Sequence, residues 1–341
     1  MNSLANKRIN TFSQSRAKLL TSSLAIMAVV GFVFAPVPAT AAEGFAAWLQ
    51  GLRMEASEKG IRDDILDAAL NGIEPIPRVI ELDRKQPEFT LTFQQYMDRV
   101  VPDSRVKKGR AKLAENRALL EEAAKKHGVQ ARFLVAFWGV ETDFGRVTGG
   151  FKVVPALATL AHDGRRSAYF RKELLNALTI LNEGHIAPKD MVGSWAGAMG
   201  QPQFMPSSFL NFAVDGDGDG HKDIWTTKTD VFASAANYLS RSGWKADETW
   251  GRAVKVPADF DEALVDLKVI KPISEWQALG VRRTDGADLP TRDLKASIVR
   301  AGKNGPPYMV YNNFRTILKW NRSTYFAVAI GTLADKIGAG S

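Results

Sequence analysis

The run Phe133-Leu134-Val135-Ala136-Phe137-Trp138-Gly139-Val140 carries no polar side chain, and Glu141-Thr142-Asp143-Phe144-Gly145 follows it at once. A helix that is apolar on every side has no face to turn to water and belongs at the centre of a core. Other helices must therefore wrap around this one, which places the Glu141 carboxyl at the core's edge. Desolvation disfavours the carboxylate anion there, and so does the negative end of the helix dipole. Both effects raise its pKa toward the range a general acid needs near neutral pH. From position alone, a surface Glu that opens a loop is the plainer reading; the surrounding sequence shifts the balance.

The material for such a wrap is present. Of 341 residues, 45% are apolar and 24% charged, ordinary globular proportions for roughly two domains, or one large core with a satellite. Phe45, Trp48, Leu49 and Leu52 recur at helical spacing, with turns marked by Gly60, Asn71-Gly72 and the prolines at 75, 77 and 87. After Pro102-Asp103-Ser104 the pattern predicts one long charged helix with Val106, Leu113 and Leu120 on one face, stopping at His127-Gly128. Residues 155–185 read as helical. Arg252–Val256, Lys295–Val299 and Tyr308–Tyr311 read as short strands around a helical segment at Ser274–Leu279, and Tyr325–Ile337 as an apolar helix. The expected fold is mainly α. It has an N-terminal helical domain over 43–104, a helical core over 105–250, a small α+β lobe over 251–310 and a C-terminal helix, within 311–341, that returns to the core.

Residues 1–41 read as an export signal. Lys7, Arg8, Arg16 and Lys18 precede an uncharged apolar run from Leu24 to Ala35, and Ala39-Thr40-Ala41 supplies a small-residue cleavage site. The run is short for spanning ~30 Å of hydrocarbon, so cleavage, a mature chain with no transmembrane segment and a periplasmic location are expected. Losing those four basic residues takes the net charge from +8 to +4. This mild excess favours anionic surfaces; no recognised nucleic-acid motif accompanies it. The absence of cysteine excludes disulfides, thiolate metal sites, a cysteine nucleophile and a lipid-anchored lipoprotein.

Two further segments suggest chemistry. Ser194 to Phe209 is rich in Gly, Pro and small residues that let backbone approach a ligand. Ser194 and Gln203 there suit a sugar or acetamido group, while Ser207 or Ser208 suits a helix cap. Asp215-Gly216-Asp217-Gly218-Asp219-Gly220 matches the start of a calcium loop. His221 stands where a backbone carbonyl serves, Asp223 at the ninth position, and Thr226 where a bidentate Glu is standard. Asp230 closes the site if the loop is longer than usual; a solvated acidic turn is the alternative. Tyr96, Tyr238 and Trp320 are candidate stacking platforms for a carbohydrate, although each of these residue types is more often core.

Taken together, Glu141-Thr142-Asp143-Phe144-Gly145, Ala196-Gly197-Ala198-Met199-Gly200 with Gln203-Phe204-Met205-Pro206-Ser207-Ser208, the acidic loop ending at Trp225, Ala236-Asn237-Tyr238 and Asn321-Arg322-Ser323-Thr324 resemble, in identity and order, the B-type lytic murein transglycosylases of Gram-negative bacteria. The resemblance runs from about Phe89 to Ile337. It implies a lysozyme-like helical core and cleavage of the β-1,4 bond between N-acetylmuramic acid and N-acetylglucosamine in peptidoglycan. A 1,6-anhydromuramoyl end is formed without water. It also implies Glu141 as the single acid/base, with Ser194, Gln203, Tyr96, Tyr238 and Asn321 in the substrate groove. Asp215, Asp217, Asp219, His221 and Asp230 would hold a structural Ca2+, and no organic cofactor is called for. Two positions depart from the family pattern: Trp320 and Phe326 stand where tyrosines are usual.

Two other functions compete. A lysozyme-type hydrolase needs a second carboxylate, ~5–5.5 Å away if retaining or ~6.5–9.5 Å if inverting; Asp143 is the candidate, but Phe144-Gly145 suggests a turn directed elsewhere. A wall-binding module without catalysis is the other, and an intact Glu141 argues against it. Scaffolding of other cell-wall enzymes is compatible with catalysis.

Overall fold

Helix α1 (Ala39–Glu58) turns Phe45, Leu52 and Ala56 inward and ends before Gly60, which adopts a left-handed conformation. The computed structural model describes residues 39–85 and 91–339. The export signal expected over 1–41 lies outside the described residues, apart from the last three, whose backbone opens α1. Short helices α2 (Asp63–Leu70), α3 (Pro77–Lys85) and α4 (Phe93–Val100) follow. A capping box starts α4, with Thr92 and Gln95 each satisfying the other's backbone N–H, worth ~1 kcal/mol.

The charged stretch after Pro102 forms two helices rather than the single one expected, α5 (Asp103–Glu115) and α6 (Arg117–His127). Asn116 breaks it. This buried residue donates its side-chain amide to the Lys112 carbonyl at 2.9 Å, a local bond that competes with helix continuation. Val106, Leu113 and Leu120 are buried as the spacing predicts, and Gly128 closes α6 in a left-handed conformation. Helix α7 (Ala131–Thr142) is buried without interruption from Phe133 to Gly139, with α5, α6 and the C-terminal helix packed along it.

Strand β1 (Phe151–Lys152) leads into α8 (Val153–His162), which packs on α9 (Ser167–Asn182). These two helices account for the helical character expected over 155–185; Gly164 and Arg166 between them both have positive φ. Asp83 on α3 is fully buried and ion-paired with Arg165, at 2.7 Å, and with Arg166, which fixes this corner. Strand β2 (Val192–Gly193) pairs antiparallel with β1, and α10 (Pro206–Phe212) and α11 (Lys228–Arg241) complete this part. Neither Ser207 nor Ser208 is the N-cap of α10. Met205 holds that position, and the buried Glu173 carboxylate of α9 accepts the Ser207 N–H at 2.8 Å and its hydroxyl at 2.7 Å.

The lobe contains β3 (Gly251–Lys255), β4 (Lys271–Pro272), α12 (Ile273–Ala278), β5 (Arg282–Arg283), β6 (Lys295–Arg300) and β7 (Pro307–Val310). The sheet order is β4-β6-β7-β3-β5, with every pairing antiparallel. Trp276, Ile298 and Tyr311 anchor a hydrophobic cluster separate from the main core. Helix α13 (Asn312–Trp320) covers residues to which the sequence pattern assigns no element, and α14 (Thr324–Gly338) returns to the main core, its start capped by Ser323. Among the described residues, no helix is long and apolar enough to cross a membrane.

Candidate active site

Glu141 occupies the last turn of α7, and the chain reverses immediately after it. Asp143 and Phe144 have φ of 50° and 63°, a conformation costing ~1–2 kcal/mol for each residue with a Cβ. Side-chain anchors hold the turn. Asp143 Oδ2 meets Lys108 Nζ at 3.0 Å and Arg146 Nε at 2.6 Å. The Phe144 ring lies against Gly139, where a Cβ would come within 2.7 Å of it. Burial alone would raise the Asp143 pKa, but the bonds and charges of Arg146 and Lys108 together hold it below the usual value. The nearest acid in sequence to Glu141 is thus an anion engaged by two cations.

Among the described residues no cation is paired with Glu141. Its Oε1 accepts a hydrogen bond from Trp320 Nε1 at 2.9 Å. The indole belongs to an aromatic cluster, with ring centroids 4.5 Å from Phe137, 4.7 Å from Tyr238 and 5.3 Å from Phe204. Glu141 as a residue keeps some contact with solvent, but its carboxyl is packed round by protein. Burial drives its pKa up to about 7, against the smaller downward pull of the indole hydrogen bond. A group so poised can both deliver and accept a proton near neutrality.

The Gly-rich segment folds back on itself beside these rings. Met199 bridges to Gly193 on one side and to Phe204 on the other. Gly149 approaches this turn so closely that a Cβ there would lie 2.0 Å from the Gly193 carbonyl oxygen. Half-buried Ser194 accepts the Ala198 N–H on its hydroxyl at 3.0 Å. Gln203, with φ of 53°, donates its amide to the Thr148 carbonyl at 3.1 Å and to the Gly200 carbonyl at 2.9 Å. Both side chains therefore shape the turn itself.

Gln201, which the sequence reading passes over, ties the segment to α7. Its Oε1 accepts from Trp138 Nε1 at 2.7 Å, its Nε2 donates to the Trp225 carbonyl at 2.8 Å, and its own carbonyl accepts from Thr142 Oγ1 at 2.9 Å. A glutamine between Gly200 and Pro202 carries no sequence signal that separates a buried bridge from a ligand contact.

Of the other predicted groove residues, Tyr238 is buried, packs on Trp320 and donates its hydroxyl to the Lys319 carbonyl at 2.8 Å. Asn321 directly follows Trp320, is exposed, and accepts the Ser323 N–H at 3.0 Å. Tyr96 on α4 is half-buried and packs at 5.7 Å on Tyr325. Phe326 is buried at 6.0 Å from Phe137.

In the acidic loop, Asp215, Asp217 and Asp230 bring carboxylate oxygens within 4.8 Å of one another. Asp215 accepts the N–H groups of Gly218 and Gly220 at 2.6 and 2.8 Å. Asp230 is buried and accepts those of Gly216 and Asp223 at 2.8 and 2.7 Å. Its pKa is raised, first by burial and further by the charges of Asp217 and Asp215, which a cation among them would reverse. Asp219 and His221 are exposed and outside this cluster; Asp219 Oδ1 accepts the His221 N–H at 2.8 Å. Asp223 instead bonds the turn from Trp225 to Thr227.

Fold and site together define a mainly helical protein whose buried central helix ends in a desolvated carboxyl, Glu141. Residues 44–335 match the transglycosylase SLT domain, and the chain belongs to that family, on the side of its B-type lytic transglycosylases. It is 36% identical over 226 residues to membrane-bound lytic murein transglycosylase B of Escherichia coli (strain K12), a match covering 64% of this chain and 60% of that protein. The chain thus matches well under two thirds of that relative's length. The structure of SltB3 from Pseudomonas aeruginosa in complex with NAG-anhNAM-pentapeptide is similar with a TM-score of 0.83 at 43% identity, covering 86% of this chain and 79% of that one. That of the Escherichia coli lytic transglycosylase Slt35 in complex with calcium has a TM-score of 0.73 at 28% identity, covering 88% and 94%. The mainly helical, lysozyme-like fold is shared with these enzymes.

Proposed function

We propose that this chain is a peptidoglycan lytic transglycosylase that cleaves the β-1,4 bond from N-acetylmuramic acid to N-acetylglucosamine and leaves a 1,6-anhydromuramoyl end. The observation that carries this reading is a desolvated carboxyl with a pKa near 7, Glu141, whose neighbour in sequence Asp143 is held by Lys108 and Arg146. Protonated Glu141 gives its proton to the glycosidic oxygen as the bond from C1 to that oxygen breaks and the electron pair leaves with the oxygen. The muramoyl 6-hydroxyl attacks C1, and Glu141, now a carboxylate, takes the hydroxyl proton. No water is consumed. The nucleophile is already attached to the substrate, so its effective concentration reaches ~10⁵ M or more when well oriented. Ser194, Gln203, Tyr96, Tyr238 and Asn321 would hold the sugars, and a periplasmic location follows from the export signal.

The oxygen donors of Asp215, Asp217 and Asp230 fit a hard cation, and we assign them to a structural Ca2+, with Asp219 and the His221 carbonyl as outer contributors. The ion would neutralise their mutual repulsion and has no part in sugar cleavage.

Mass spectrometry of products from purified sacculi tests the reading. Wild-type enzyme should release muramoyl ends one water lighter than reducing ends, and Glu141→Gln should release almost nothing while remaining folded. Mainly reducing ends would make the enzyme a lysozyme; near-normal activity of Glu141→Gln would remove Glu141 from the mechanism.

A further inference from the structure

We infer that Trp320 is a positioning residue that divides the two oxygens of Glu141 between two tasks: Oε1 is held by the indole, and Oε2 alone gives and takes the catalytic proton. This deepens the proposed function and rests on Glu141 being the acid/base.

The inference starts from the donor. An indole N–H donates and cannot accept, so the oxygen facing it at 2.9 Å keeps a lone pair toward it in both protonation states. A carbonyl oxygen is a stronger acceptor than a hydroxyl oxygen, so in neutral Glu141 this bond favours the proton on Oε2. The same oxygen is the free site to which the proton of the muramoyl 6-hydroxyl returns, and one carboxyl oxygen serves both half-reactions without rotation of the group.

The indole itself is fixed. Phe137, Phe204 and Tyr238 pack against it. Tyr238 in turn is tied through its hydroxyl to the Lys319 carbonyl, next in the chain to Trp320. An aromatic residue placed chiefly for sugar stacking would present an open face, whereas this one has packing partners and a polar edge aimed at the carboxyl.

Four charged groups on the surrounding elements are engaged elsewhere. Lys108 of α5 and Arg146 bind Asp143, Lys319 of α13 donates to the Ser242 carbonyl at 2.7 Å, and Asp335 of α14 is bound by Arg132 and Trp250. Among the described residues the indole is the side-chain hydrogen-bond partner of Glu141. Its bond draws the carboxyl's pKa down while burial drives it up.

Hydrogen bonds to charged groups contribute about 1.5–3 kcal/mol, equivalent to about 10–100-fold. Trp320→Phe, which keeps a ring but loses the donor, should lower kcat by that factor with KM little changed. It should also move the basic limb of the kcat–pH profile upward, since a downward pull on the pKa is removed. Trp320→Tyr, which retains a donor, should recover activity. In wild-type enzyme the Trp320 indole 15N–1H resonance, assigned by its loss in either variant, should titrate with the same pKa as Glu141 and stop titrating in Glu141→Gln. A Trp320→Phe profile superimposable on wild type, or an indole resonance indifferent to pH across that range, would overturn the inference. Failure of the underlying reading shows separately, as an active Glu141→Gln.

Discussion

Glu141→Gln should stabilise the protein, and only above about pH 4.5. In the unfolded chain a glutamic acid titrates at its ordinary 4.5, and in the folded protein Glu141 titrates at about 7. Between those values the folded state binds more protons than the unfolded state, so stability falls as pH rises through the window. Each tenfold change in an acid constant is about 1.4 kcal/mol, so the full displacement is about 3 kcal/mol. Residual solvent contact at the half-buried side chain reduces the expected effect to ~1–3 kcal/mol. Glutamine has no charge to desolvate at any pH, and its Oε1 still accepts the Trp320 N–H. The difference in unfolding free energy between variant and wild type should therefore be flat below pH 4, grow between pH 4.5 and 7, and level off above pH 8. Urea titrations of both proteins at several pH values would measure it. Two curves that stay parallel across the range would show that burial does not penalise the Glu141 anion, and the explanation of its acidity would fall.

Two other outcomes follow from buried charge. Calcium added to metal-free protein should raise the melting temperature, by ~3 kcal/mol of stabilisation at a hundredfold excess over Kd, and Asp230→Asn should abolish the response; identical melting with calcium and with chelator would count against the site. Asp83→Ala should destabilise by ~1–3 kcal/mol, because the buried Asp83 loses charge-assisted bonds from the half-exposed Arg165 and Arg166; a melting temperature within a degree of wild type would show that the ion pairs are dispensable.

The sequence announces α7 because every side of that helix is apolar; position alone leaves Glu141 undecided between a desolvated carboxyl and a surface acid, and the surrounding motifs single it out. The lobe is legible for a related reason: short strand-like runs at Arg252, Lys295 and Tyr308 read locally. What stayed hidden depends on contacts between segments far apart in the chain. Asn116 breaks a helix through one side-chain bond, and Glu173 caps α10 from a neighbouring helix. Gln201 bridges α7 to the acidic loop with groups that would equally suit a ligand. Trp320 shows the same limit within the site. Its departure from the family pattern is visible in sequence, but the direction of its N–H, toward Glu141 rather than toward a sugar, is set by packing of Phe137, Phe204 and Tyr238 against its ring.

A carboxyl that must act alone is constrained more tightly than one of a pair. Where two carboxyls share the work, one is kept neutral to donate and the other ionised to attack or to activate water. In the proposed reaction Glu141 donates first and accepts second, and any displacement of its pKa that helps one step hinders the other. The compromise is a value close to ambient pH. Burial by itself pushes the group upward without limit from the site's point of view, and a neighbouring cation would overshoot in the opposite direction. A neutral donor fixed by aromatic packing is a milder counterweight, since it stabilises the anion without bringing a full charge beside it. The turn that carries Asp143 away to Lys108 and Arg146 serves the same end. An ionised acid left facing Glu141 would raise its pKa further and offer water a base, whereas Asp143 in its left-handed turn, bound to two cations, does neither.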